Sequence, residues 1–500
     1  MATTITRRQF GVLAAGGAAV ASLGLDASQS AALETAAITW VSSDPHLSGN
    51  FAPVGPELDV PDLPVTAGQI PSDLRGAYMR NGPNPLYKPI AFAYPMDGDG
   101  MIHAVYFDNG RAHYRNRFVQ TAGLTAERRV GHAIYGSFTH PVPIDPKLLQ
   151  PGDPPGPFKN GAFISILQHG GKLLALDEAT TAYEMTMDLD TLGEWKAGTD
   201  QPIRLGAHNR RHPQTGALFT LAYSPLRPVV DFHQIDATGN VARSFSIALA
   251  APTMIHDFVL TEQHIVLFAC PAVFDAEAAR QGQPFLQWRP DLGTRIGLIA
   301  LDGSATQWVD ADPFFVFHFA NAFERSGQIV VDYVRHDALV LGYSAQVHKP
   351  PTLHRMTIDI AAGKTSDVEV APLVTEFPRV NDALNALPTR FVYLPTLTDT
   401  LLQANPPSAT FNTMMRIDSE TGDVVRHDFG NKIAGEATFI PRGTAGEDDG
   451  ILAVFAFDPV TEASDLVLLD AAHVDSDPVA VIRLPQRVPQ GLHGNWTQMA

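Results

Sequence analysis

The chain has 500 residues, with 35 basic and 53 acidic side chains and a formal net charge of −18. Hydrophobic residues make up 45% and charged residues 18%, a globular rather than a disordered composition. The acidic balance and the lack of any basic run argue against a nucleic-acid surface, and a single cysteine, Cys270, excludes both an internal disulfide and a thiolate metal cage.

Residues 1–32 read as a processing segment. Arg7 and Arg8 are the only charges before Asp26, an apolar, glycine-rich run extends from Phe10 to Leu25, and small residues follow from Ala27 to Ala32. That run is too short to span a bilayer stably. The pattern resembles a bacterial twin-arginine export signal, with Arg7, Arg8 and Phe10 in the motif positions. It implies a periplasmic protein exported in the folded state, often because a cofactor is inserted first. No later stretch approaches membrane-spanning length, and peripheral contact with a membrane is left open.

From residue 33 to residue 500 the expectation is one domain. Short apolar runs are broken by Gly, Pro, Asp and Asn. The segments 161–167, 172–176, 217–223, 328–334 and 450–457 read as strands, with turn signals at Asn109-Gly110, Asp302-Gly303 and Asp449-Gly450. The run from Ile265 to Cys270 is strand-like and apolar, which makes Cys270 a buried structural thiol. Pro141 to Pro157 is a long loop. Many strands at short spacing predict an all-β closed architecture, a barrel or a propeller. No repeat of about 40–50 residues is visible.

Without further cysteines, metal chemistry would rest on His, Asp and Glu. None of the 18 histidines forms a close-spaced metal motif. His318 lies between Phe314 and Asn321 in a run apolar on both strand faces, and His256 shares its face with Met254, Phe258 and Leu260. Both should be buried. An unpaired buried imidazole costs about 1–3 kcal/mol, so each is either a hydrogen-bonded core histidine or a ligand. Periodicity does not decide between these.

Longer motifs do. Residues 75–85, Arg-Gly-Ala-Tyr-Met-Arg-Asn-Gly-Pro-Asn-Pro, precede Met-Asp-Gly-Asp-Gly-Met-Ile-His at 96–103. Then come Ala207-His208, Ile255-His256-Asp257-Phe258, the run from His318 to Glu324, Glu376-Phe377-Pro378-Arg379 and Leu492-His493-Gly494. In this order they resemble the carotenoid cleavage oxygenase family over roughly residues 65–500. The resemblance implies a seven-bladed β-propeller with a helix-and-loop cap over a central metal site. It further implies one non-haem Fe(II) per chain, held by His208, His256, His318 and His493, each from a different blade. Glu178, Glu376 and Glu436 match the family's outer carboxylates and would hold His256, His318 and His493 respectively. His103, His113 and His212 are read as structural or exposed.

The implied reaction joins dioxygen to an apolar alkene and cleaves a conjugated carbon–carbon double bond into two carbonyl products. A carotenoid or apocarotenoid is the expected substrate, with a stilbene or other phenylpropanoid as the alternative. A non-catalytic propeller that binds an apolar ligand is the rival of a different class. Two departures favour the polyene. Asp177 and Phe118 stand where stilbene-cleaving relatives carry the Lys and Tyr that hold a phenolate. An Asp would repel that phenolate, so converting both positions to Lys and Tyr is expected to raise phenol turnover. A third departure is Phe163-Ile164, near where many members carry Asn-Thr beside the iron.

Overall fold

The computed structural model describes residues 38–137, 140–341, 349–403, 409–443 and 446–499. Residues 1–32, where the sequence suggests an export signal, lie outside them. Among the described residues the chain is mostly β-strand, and its antiparallel sheets follow one another as seven blades around an axis. Each blade is a meander. Blade three, for example, runs Arg210–Arg211, Leu218–Tyr223, Val229–Ile235 and Val241–Ala248, and blade five runs Phe319–Arg325, Gln328–Arg335, Thr352–Asp359 and Lys364–Ala371. Hairpin chemistry sets the registers: Asn109 (φ 50°) and Gly110 (φ 74°) form the two-residue turn joining Met101–Asp108 to Arg111–Phe118.

The ring is closed twice. Strand Gly494–Thr497, near the C-terminus, pairs with Gly76–Arg80 in blade one. Strand Val65–Gly68 pairs with Ala480–Arg483 and completes blade seven. Aromatic and branched side chains fill the space between blades; Phe232, Phe258, Phe268, Phe314, Phe319 and Tyr333 belong to one such cluster. Burying apolar surface in this way contributes about 25 cal/mol per Å².

The innermost strands position the site. They are Ser165–His169, Arg210–Arg211, Val259–Leu260, Phe319–Arg325, Thr438–Pro441 and Gly494–Thr497, with Arg379 bridging to Tyr393 in blade six. All run the same way along the axis. Long insertions either precede an inner strand or follow its antiparallel neighbour, so they emerge at the end where the inner strands begin. They include helix Ala122–Val130, the hairpin of Ala272–Phe274 with Leu286–Trp288, and helix Asp399–Gln403. The helix Ala122–Val130 starts on a Thr121 cap and stops at Gly131 in the left-handed region.

Strands at 172–176, 218–223, 328–335 and 450–458 lie where the sequence places them. Three expectations shift. The inner strand of blade two starts at Ser165 rather than at residue 161, because Ala162 has φ 48° and the amides of Gly161 and Ala162 bond to Asp177 instead of a neighbouring strand. His256 and His318 sit just before inner strands, at Val259 and Phe319, rather than within them. Ending the ladder there lets each imidazole turn toward the axis.

Candidate metal centre

His208, His256, His318 and His493 precede the inner strands of blades three, four, five and one. Although separated by 48, 62 and 175 residues, their Nε2 atoms lie 3.1, 3.3 and 3.1 Å apart in that order. Their ligating atoms all fall within 4.8 Å of one another, and the residues are buried except His208, which is half-buried. Blades six and seven carry Glu376 and Glu436 just before their inner segments, and blade two carries Ile164. One position per blade therefore supplies four imidazoles, two carboxylates and one apolar side chain.

Each glutamate fixes a tautomer. The Nδ1 of His256 donates to Glu178 Oε2 at 2.7 Å, that of His318 to Glu376, and that of His493 to Glu436 Oε1 at 2.9 Å. Among the described residues no carboxylate pairs with His208. With Nδ1 donating, three Nε2 atoms turn lone pairs toward one point. Crowding such lone pairs at 3.1–3.3 Å is unfavourable unless a cation sits among them. Half of the 4.8 Å span is about 2.4 Å, close to metal–imidazole bond lengths of about 2.1 Å. The donor set therefore fits a transition-metal ion. All-nitrogen imidazole donors suit iron, zinc, copper or nickel and do not by themselves choose among them.

The carboxylates have further partners that the sequence does not reveal. Tyr223 donates its hydroxyl to Glu178 Oε1 at 2.8 Å, His336 Nε2 lies 2.7 Å from Glu376 Oε1, and Arg379 lies 3.5 Å from Glu436 Oε1. Burial alone would raise the Glu376 carboxyl, but His318 and His336 outweigh it and hold it well below the usual range. Burial likewise opposes ionisation of Glu436, and Arg379 and His493 overcome it. Burial drives His208 well below the ordinary imidazole value, and the other three imidazoles add to the effect. At His256 burial is outweighed by the charge of Glu178, and the net shift is upward. Arg379 follows Glu376 in a quoted motif, so position could have flagged it. Tyr223 and His336 carry no such signal.

A second network ties the ligands together. Asp257 accepts from the amides of Phe258 at 2.7 Å and Phe319 at 3.0 Å, and from Arg210 at 2.6 Å. Arg210 also donates to the carbonyl of Phe258 at 2.8 Å. One ion pair thus joins the segments carrying His208, His256 and His318.

The other histidines behave as structural residues. His103 is buried against the Tyr114 hydroxyl at 2.7 Å, and burial pushes it down to about 3. His113 pairs with Asp59, and His212 reaches the Glu262 carbonyl at 3.2 Å. Cys270 is buried, and burial pushes its thiol up to about 12. Ile164 sits against the site, its carbonyl accepting from His493 N at 3.0 Å.

Asp177 and Phe118 do not meet their expected role. Asp177 is buried and accepts from the amides of Gly161, Ala162 and Glu178 at 2.9, 3.2 and 2.8 Å, so its charge is spent on the backbone. Phe118 is buried in a separate cluster with Val54, Leu86, Met101 and Leu124. Asp177 therefore serves the backbone of this turn rather than repelling a phenolate.

A seven-bladed propeller that brings four histidines and their supporting glutamates to its axis defines a class of metal-dependent oxygenases. The family described as RPE65, retinal pigment epithelial membrane protein, matches residues 51–498. A carotenoid cleavage oxygenase of Mycobacterium tuberculosis is 32% identical, over 91% of this chain and 98% of its own. The crystal structure of Pseudomonas brassicacearum lignostilbene dioxygenase superposes with a TM-score of 0.82 at 27% identity, covering 92% of this chain and all of that one. Cobalt-substituted Synechocystis apocarotenoid oxygenase gives 0.76 at 28% identity, covering 89% and 96%. The chain belongs to the RPE65 and carotenoid cleavage oxygenase family.

Proposed function

We propose that this protein is a non-haem Fe(II) dioxygenase that cleaves a conjugated carbon–carbon double bond of an apolar alkene into two carbonyl products. The observation that carries the reading is the convergence of four Nε2 atoms, three of whose imidazoles are backed by glutamates. Iron held by His208, His256, His318 and His493 would supply dioxygen activation. The chain's own part is to orient and to exclude water. Glu178, Glu376 and Glu436 keep three imidazoles in the Nδ1–H tautomer, so their Nε2 atoms stay available. Arg210 and Asp257 hold three ligand segments in register. The ring of Phe317 lies 5.5 Å from that of His256, and the ring of Phe377 lies 5.2 and 5.6 Å from those of His318 and His493, so apolar groups flank the ligands, as an alkene requires. A binding-only propeller has no need of such a donor set.

A carotenoid or apocarotenoid remains the preferred substrate because of those apolar neighbours. A stilbene is the second reading, favoured by the likeness to lignostilbene dioxygenase and by the engagement of Asp177 with backbone amides, which leaves it no part in repelling a phenolate. Incubating the iron-loaded protein with apocarotenals and with hydroxystilbenes, and identifying the aldehydes formed, separates the two. Aldehydes from apocarotenals alone support the first reading, and aldehydes from stilbenes alone replace it. No aldehyde from any conjugated alkene would leave the binding-only propeller.

Export belongs to the same reading. Arg7→Lys with Arg8→Lys should leave the precursor in the cytoplasm of a host with a working twin-arginine pathway. Equal periplasmic yields of the two forms would remove the export assignment. No described helix is long and apolar enough to cross a membrane.

A further inference from the structure

Beyond the ligands, along the inner strands, lies a cavity of about 430 Å³. Its wall includes His208, His318 and His493 at one end and the exposed Arg211, Asp382 and Gln498 at the other, so it joins solvent to the ligands along the propeller axis. Its polar groups come from successive blades. Arg210 is neutralised by Asp257, and Arg379 by Asp382 and Glu436. These groups carry no strong excess of either sign and alternate with apolar side chains such as Leu167, Phe377 and Trp496, so a hydrated ion meets polar partners along the whole wall. Its volume accommodates many waters, since one water needs only roughly 10–15 Å³.

We propose that this axial channel is the route by which a hydrated divalent cation reaches and leaves the four histidines. A dication crossing closed apolar packing would shed its water before meeting its ligands. In the channel it keeps polar contacts up to His208, the half-buried member of the four. The inference rests on the reading of the four histidines as a metal site. It goes beyond that reading by assigning the metal its route.

The buried Cys270 makes a direct test available, because its thiol is unreactive and an introduced cysteine can be modified alone. Gln168→Cys and Asn385→Cys place a thiol on the channel wall, and Val460→Cys places one on a remote exposed surface as control. Each full-length metal-free variant is labelled with a bulky methanethiosulfonate. Uptake of Co(II) is then followed by its visible absorption. Labelling at residue 168 or 385 should slow uptake at least tenfold, leave the final stoichiometry at one per chain, and be reversed by a phosphine reductant. Labelling at residue 460 should change nothing. Unchanged uptake rates after complete labelling at both wall positions would overturn the route and leave the metal site standing. An unlabelled wild-type protein that takes up no Co(II) would overturn both.

Discussion

Asp177 shows how a single side chain can carry one meaning in the sequence and another in the fold. Next to Glu178 it invites a role in substrate choice, yet it caps three backbone amides and shapes the turn at Gly161-Ala162. Asp177→Lys should therefore remove three acceptors and bury an ammonium group. We expect a loss of several kcal/mol in denaturant unfolding rather than a gain in phenol turnover. Burial pushes this carboxyl up from 3.8 to about 6. Below pH 4 both states hold the proton. Between about pH 4 and 6 the unfolded chain releases it first, so stability falls as pH rises, to a penalty of about 3 kcal/mol that persists above pH 6. Asp177→Asn lacks that penalty, so its stability relative to wild type should improve by up to about 3 kcal/mol from pH 4 to pH 7. A difference that stays constant with pH would refute the assignment. Glu436→Gln should cost about 10–100-fold in metal affinity, read by competition with a chelator, because His493 would lose its carboxylate partner.

At the scale of elements, the starting points of the inner strands decide the site. The alternation of apolar residues around His256 and His318 correctly marked both as buried, but it placed them within strands. They stand one to three residues ahead of them, where the backbone is free to turn inward. Asp257 uses that freedom, taking the amides of Phe258 and Phe319 that a longer ladder would have paired. Asp257→Ala should leave Arg210 without its buried partner and lower stability by on the order of 3 kcal/mol. It should also weaken metal binding at an unchanged ligand set. A variant with wild-type thermal stability and metal affinity would show that the ion pair does not hold the ligand segments. The hairpins at Asn109-Gly110 and Asp302-Gly303 were legible because such pairs carry their own turn geometry, whereas Asp449-Gly450 opens the strand Gly450–Asp458 instead of forming a turn. Inter-blade bonds such as Tyr223 to Glu178 and His336 to Glu376 were not, since no local pattern records them.

For the whole molecule, the sequence announced strands without announcing seven blades. The inner strands begin at residues 165, 210, 259, 319, 438 and 494, and cap segments of different length separate them, so no fixed period survives. Closure pairs residues from opposite ends of the chain, Val65 with Ile482 and Ala77 with Thr497, which periodicity cannot foresee. The blade number and the ligand set came through the family motifs, because those motifs mark the one position per blade that faces the axis. A metal at that position bridges blades one, three, four and five. Loading should therefore stabilise the entire ring, by about 2.7 kcal/mol at a free metal concentration a hundred times the dissociation constant, seen as a higher midpoint in thermal unfolding. The central claim, that four histidines hold a catalytic iron, is tested most directly by elemental analysis. Wild-type protein and His318→Ala, matured under iron-replete reducing conditions, would be compared after their folded state is checked by circular dichroism. We predict one iron per wild-type chain and nearly none in the variant at an unchanged spectrum. Stoichiometric iron retained by His318→Ala, or none in the wild type, would contradict the claim.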